Sequence, residues 1–231
     1  MNTENLTGAE LHAALTEIGR KARAAALKIA NVSTADKNRW LNAMADAVEQ
    51  SAPALLRANA EDMEKGTAKG MSPAMLDRLK LNEQRIKAMA DGLRHVADLP
   101  DPVGEKLSVV TRPNGIRIEK VAVPIGVIGF IYESRPNVTV DAAGLSLKTG
   151  NAVILRGGSE AIRSNQAIAD CILRAGIAAG MPEGTVQFIP WTAHEAVSEM
   201  LKLDSFINLI IPRGGERLIR AVVEQSTIPV I

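Results

Sequence analysis

Three short junctions hold the residues best suited to grip a charged ligand. They are Tyr132-Glu133-Ser134-Arg135-Pro136-Asn137, Arg156-Gly157-Gly158-Ser159-Glu160 and Pro212-Arg213-Gly214-Gly215-Glu216. Two of them join an arginine to paired glycines, which lets bare backbone and a guanidinium approach a phosphate together. A glycine pair taken singly is an ordinary turn. Repeated after successive apolar runs, the pairs suggest a ligand edge. The Gly-x-Gly-x-x-Gly dinucleotide signature is absent, which disfavours an ordinary Rossmann dehydrogenase. Cys171 is the one cysteine, set in the apolar run Ala169-Asp170-Cys171-Ile172-Leu173, where a buried inert thiol is expected rather than a nucleophile. His12, His95 and His194 lack metal-ligand spacing, so no metal site is expected.

The elements that must position these junctions follow from the hydrophobic pattern. From residue 121 onward, short apolar runs alternate with helical stretches. Strands are expected over 121–131, 152–156, 186–189 and 206–211, and helices over 137–148, 159–179, 193–202 and 214–225. Such alternation predicts a parallel sheet covered by helices on both faces, with ligands beyond the carboxyl ends of its strands. Ile228-Pro229-Val230-Ile231 reads as a further strand beginning. Upstream, the pattern is helical. A capping box at Thr7 and Glu10 precedes a run of Leu11, Leu15, Ile18, Ala22, Ala25 and Ile29, and a second helix start lies at Ser33 and Asp36. Further helices are expected over 53–65 and 83–97, with Gly66, Gly70 and Ser72-Pro73 as punctuation between them. Leu99-Pro100-Asp101-Pro102-Val103-Gly104 ends this region, because its prolines cannot continue a helix. Asn114-Gly115 between two extended runs then predicts a projecting two-stranded ribbon. The expected division is a helical layer over 1–104, a projecting hairpin over 105–120 and a parallel α/β core over 121–231.

Composition narrows the class of function. With 27 Lys plus Arg against 26 Asp plus Glu, the charge of +1 offers no case for a nucleic-acid partner. The longest apolar stretch, Val121 to Tyr132, is broken by Pro124 and falls short of the ~20 residues that span a bilayer. Glu4, Glu10 and Glu17 argue against a targeting peptide, and a cytoplasmic location is expected. Small neutral or anionic ligands remain open.

The middle third is the most specific. Ile131-Tyr132-Glu133-Ser134-Arg135-Pro136-Asn137-Val138-Thr139 and Leu147-Lys148-Thr149-Gly150-Asn151-Ala152-Val153-Ile154-Leu155-Arg156-Gly157-Gly158-Ser159-Glu160 closely resemble the glutamate-5-semialdehyde dehydrogenases, a branch of the aldehyde dehydrogenase superfamily. The first helix, the 99–104 linker, the hairpin and Pro212 to Glu216 fit the same resemblance. It implies a helical layer followed by a Rossmann-like coenzyme domain of the aldehyde dehydrogenase type. It also implies NADPH-dependent reduction of L-glutamyl 5-phosphate to glutamate 5-semialdehyde and phosphate, a step of proline synthesis. In that family a cysteine thiolate displaces phosphate, and hydride reduces the resulting thioester. The resemblance assigns Arg156, Gly157, Gly158 and Ser159 to the adenosine side of the coenzyme. Arg156 beside a small hydroxyl leaves room and charge for a 2′-phosphate, so NADP(H) is the expected cofactor. Pro212, Arg213, Gly214 and Gly215 match the helix start facing the pyrophosphate. Glu133, Ser134, Arg135 and Asn137 are substrate or oxyanion candidates, with no single donor assigned.

The family's reactive cysteine would follow soon after Ile231. The catalytic domain, and the strand that pairs with the hairpin, are therefore expected outside these residues, and the chain alone is expected to be inactive. A homo-oligomer is expected for the full-length family. The second reading is a non-catalytic nucleotide-binding or assembly module, or one half of a split enzyme.

Overall fold

The structure is a computed structural model and describes residues 6–231, so Glu4 lies outside the described residues. Five helices open the chain: α1 (Gly8–Ile29), α2 (Thr34–Gln50), α3 (Ala52–Ala68), α4 (Pro73–Leu79) and α5 (Glu83–Asp98). The expected capping box forms, with the Thr7 N–H donating to Glu10 Oε2 at 2.8 Å and the Glu10 N–H donating to Thr7 Oγ1 at 3.3 Å. Ser33 caps α2 in the same manner, accepting from the Asp36 N–H. α4 is a departure from the sequence reading, which took Ser72-Pro73 as punctuation. Ser72 caps it and Pro73 supplies its first turn, a start signal that outweighed the shortness of the apolar pattern behind it.

The ribbon consists of β1 (Lys106–Thr111) and β2 (Arg117–Val121), paired antiparallel and exposed along both strands. Its turn is not the two-residue type that Asn-Gly favours. The Gly115 N–H donates to Arg112 O at 2.9 Å, Pro113 occupies the first central position, and only Gly115 has positive φ, at 86°. Pro113 fixes its own φ near −65°, which suits a four-residue turn closed by a left-handed glycine.

The core sheet contains β3 (Val127–Tyr132), β4 (Ala152–Gly157), β5 (Val186–Phe188) and β6 (Leu209–Arg213), all parallel in the order β5-β4-β3-β6. β3 starts six residues later than the 121–131 run implied. Val121 belongs to the ribbon, and Pro124, which has no N–H to give a ladder, sits in the connection between them. The remaining helices are α6 (Asn137–Lys148), α7 (Ile162–Ala178), α8 (His194–Met200) and α9 (Glu216–Gln225), with a short 3-10 turn at Ser159–Ala161 ahead of α7. α1 and α8 cover one face of the sheet, while α6 and α7 cover the other with α2 and α5 outside them. One apolar core runs from Leu15 and Leu41 through Val153 and Leu155 to Ile172 and Ile210. Among the described residues no helix is long and apolar enough to cross a membrane. Val230 forms an isolated parallel bridge with Ile210 of β6.

Candidate functional site

Parallel register brings the three junctions to one edge. Tyr132 pairs with Gly157 on one side and with Arg213 on the other, so β3, β4 and β6 end level and their loops open side by side. A buried hydroxyl chain fixes that edge from beneath. Thr139 Oγ1 donates its proton to Asn165 Oδ1 at 3.2 Å, so it is Tyr132 that donates to Thr139, at 2.6 Å. Burial raises the Tyr132 phenol above its ordinary value, only partly offset by Thr139 and by the Arg156 charge, and keeps it a donor.

Two carboxylates then tie the loops together. Glu133 donates its backbone N–H to Arg213 O at 3.2 Å, and its Oε2 accepts from the Gly215 N–H at 3.0 Å. Glu160 Oε1 accepts from both the backbone N–H and the hydroxyl of Ser134, at 2.8 and 2.7 Å. Gly214 forms a bend and Gly215 is extended, and α9 begins at Glu216 rather than at Gly214 as the pattern suggested. A Cβ at Gly214 would stand 2.6 Å from Glu133 Cδ, so a larger residue there would displace the Glu133 carboxylate. The Glu133 carboxylate thus occupies the positive end of α9.

The predicted residues divide into those with internal partners and those without. Ser134 is buried and its donors are committed to Glu160. Asn137 Nδ2 donates to Asp141 Oδ2 at 3.0 Å. Arg135 and Arg213 are exposed, and neither side chain has a hydrogen-bond or ion-pair partner among the described residues. They face a cleft of about 420 Å³ that also touches Glu133, Ser134, Gly214 and Gly215. Arg156 is buried, with Nη2 donating to Thr192 O at 2.9 Å in the β5–α8 connection and Nε unpartnered. Burial lowers its pKa, while Glu160 and Tyr132 act the other way. Ser159 is exposed at the head of the 3-10 turn. Gly157 and Gly158 are buried beside it, and Pro212 lies within β6.

The sequence reading missed Arg78, which α4 contributes to the same cleft. The Ser72-Pro73 start signal could have revealed it. Cys171 lies outside the cleft-lining residues, with Sγ 3.3 Å from Ser51 Oγ, and burial pushes its thiol up. A thiol so placed stays protonated and unreactive.

Residues 5–230 match the model of the aldehyde dehydrogenase family. The chain belongs to that family. Gamma-glutamyl phosphate reductase of Moorella thermoacetica is 60% identical over 213 residues, covering 92% of this chain and 51% of that relative. The Clostridium novyi reductase is 52% identical over 231 residues, covering 100% of this chain and 54% of the relative. The crystal structure of gamma-glutamyl phosphate reductase from Thermotoga maritima superposes with a TM-score of 0.91 at 42% identity, covering 94% of this chain and 52% of that one. The chain thus spans about half the length of the relatives it matches. Its helical layer and parallel sheet are those of the aldehyde dehydrogenase fold.

Proposed function

We propose that this chain is the coenzyme-binding portion of a gamma-glutamyl phosphate reductase, in which NADPH reduces L-glutamyl 5-phosphate to L-glutamate 5-semialdehyde and phosphate. The observation that carries the reading is the α9 terminus, where a Gly215 N–H already holds an anionic oxygen at the carboxyl edge of a parallel sheet. The donor set fits a dinucleotide. Gly215 and the unpaired Arg213 suit the pyrophosphate, and the exposed Ser159 hydroxyl with the Arg156 charge nearby suits a ribose 2′-phosphate. Arg156 also holds the Thr192 carbonyl, so its second part is to position the loop that follows β5.

Bound coenzyme supplies the hydride. The chain's own residues bind and orient it, and Tyr132, Thr139 and Asn165 keep the binding edge level. The thiolate step requires a cysteine other than Cys171, and these residues contain no second one. The division into a helical layer over 1–104, a hairpin over 105–120 and a coenzyme core over 121–231, and a homo-oligomeric whole enzyme, belong to the same proposal.

Calorimetric titration with NADPH and NADH tests it. NADPH should bind about tenfold tighter, the scale of one charge-assisted contact to the extra phosphate. Ser159→Asp places a carboxylate on an exposed turn facing that phosphate and should reverse the preference. Equal affinity for both coenzymes in the unmodified chain, or no effect of Ser159→Asp, would refute the NADP assignment.

A further inference from the structure

A second cleft of about 360 Å³ lies between α4, α5 and the start of α6, and it meets the first at Arg78 and Arg135. Its charged groups sort cleanly once internal partners are subtracted. Arg85 is committed, with Nη1 donating to Lys80 O at 2.7 Å and to the Asp77 carbonyl, and Nη2 donating to Asp77 Oδ1 at 2.9 Å. That contact also occupies Asp77. Arg78, Arg135 and Lys80 remain without side-chain hydrogen-bond or ion-pair partners among the described residues. On the facing helix, Asp141 accepts only from Asn137 and has no cation in contact. Crowding by its neighbours raises the Asp141 carboxyl, against which the Asn137 bond and the more distant Arg213 charge act only in part. Two free guanidiniums, the free Lys80 ammonium and one carboxylate without a cation together suit a ligand that carries both an α-carboxylate and an α-ammonium.

We infer that this cleft seats the α-amino-acid head group of the substrate, with Arg78 and Arg135 on the carboxylate and Asp141 on the ammonium. The shared wall at Arg78 and Arg135 then sends the substrate's far, phosphorylated end into the first cleft, toward Arg213 and the Gly215 N–H. A fatty or aromatic aldehyde would leave Arg78, Arg135 and Asp141 unpaired, a cost that selects against it. This inference rests on the reductase reading and adds to it the residues that choose the substrate class.

The test compares L-glutamate with glutarate, which lacks only the ammonium, by titration of the full 231-residue chain, with NADPH titrated in parallel. L-glutamate should bind about tenfold tighter than glutarate, the scale of one charge-assisted hydrogen bond. Asp141→Asn should abolish that preference and Asp141→Glu should retain part of it. Arg78→Gln, on the exposed face of α4, should weaken both ligands alike. NADPH binding without any preference for L-glutamate would overturn the inference and leave the coenzyme reading standing. A preference that survives Asp141→Asn, or unchanged binding of both ligands by Arg78→Gln, would also overturn it. Failure of the chain to bind NADPH at all would remove the reductase reading and this inference with it.

Discussion

The helical layer and the carboxyl edge of the sheet treat charge in opposite ways. In the layer, Lys37 is almost fully buried and donates to both oxygens of Asp101, at 2.9 and 3.2 Å, while Thr34 and the Val103 N–H complete the carboxylate. Lys148 Nζ is buried on Ala97 O and Asn38 Oδ1. Asp62 accepts from the Arg163 and Ser164 N–H groups and from the Ser164 hydroxyl, so that α3 caps the start of α7. Each of these charges is satisfied inside the protein and serves to hold elements together. At the sheet edge Arg78, Arg135 and Arg213 stand open beside paired glycines. The layer uses charge to hold elements together, whereas these arginines keep exposed guanidiniums without an internal partner among the described residues.

The largest effect that could break this comparison is on Asp101. Asp101→Asn leaves the Lys37 ammonium buried without a counter-ion and should cost about 3–5 kcal/mol of unfolding free energy. Denaturant unfolding at neutral pH measures it, and a loss within error would mean the layer's charges are not structural. The effect has a defined pH dependence. Burial raises the Asp101 carboxyl, but Lys37, the Val103 N–H and Thr34 together lower it more, so the net shift is downward. A depressed carboxyl contributes fully above its unfolded value of about 3.9 and loses that contribution as pH falls through the folded value. The gap between wild type and Asp101→Asn should therefore narrow only below about pH 4.

A smaller effect sharpens the other side. The Glu133 carboxylate holds the Gly215 N–H that a phosphate would use. Glu133→Gln removes a full negative charge from the helix terminus, and NADPH should bind about threefold tighter, the scale of a surface charge at a helix end. Weaker binding would instead assign Glu133 a supporting part in coenzyme binding. The smallest effect is expected where charge is paired but exposed. Glu17 bridges Arg20 at 2.7 Å on the outer side of α1, and Arg20→Ala should leave the unfolding midpoint unchanged within error.

Much of this was legible in the sequence because the signals were local. The Thr7 and Ser33 caps, the limits of α6 and the alternation of strands and helices each depend on neighbours a few residues apart. Paired glycines beside arginines marked two of the three strand ends for the same reason. The boundary of β3 was misplaced because an apolar run conceals where ladder pairing stops, and only the position of Pro124 relative to partners decides that. α4 was passed over because seven residues give too little periodicity to outweigh the turn signals around it.

What the sequence by itself determined was the family, the order of elements and the junctions that line the edge. The tertiary structure alone decided which of those residues are free to act. Ser134 and Asn137 look as available in sequence as Arg135, yet the first is bonded to Glu160 in the 3-10 turn after β4 and the second to Asp141 one turn along its helix. Arg78 lies 57 positions before Arg135 and shares its cleft. Whether a polar group has a partner is set by packing across such separations, and packing is the quantity that local sequence pattern does not carry.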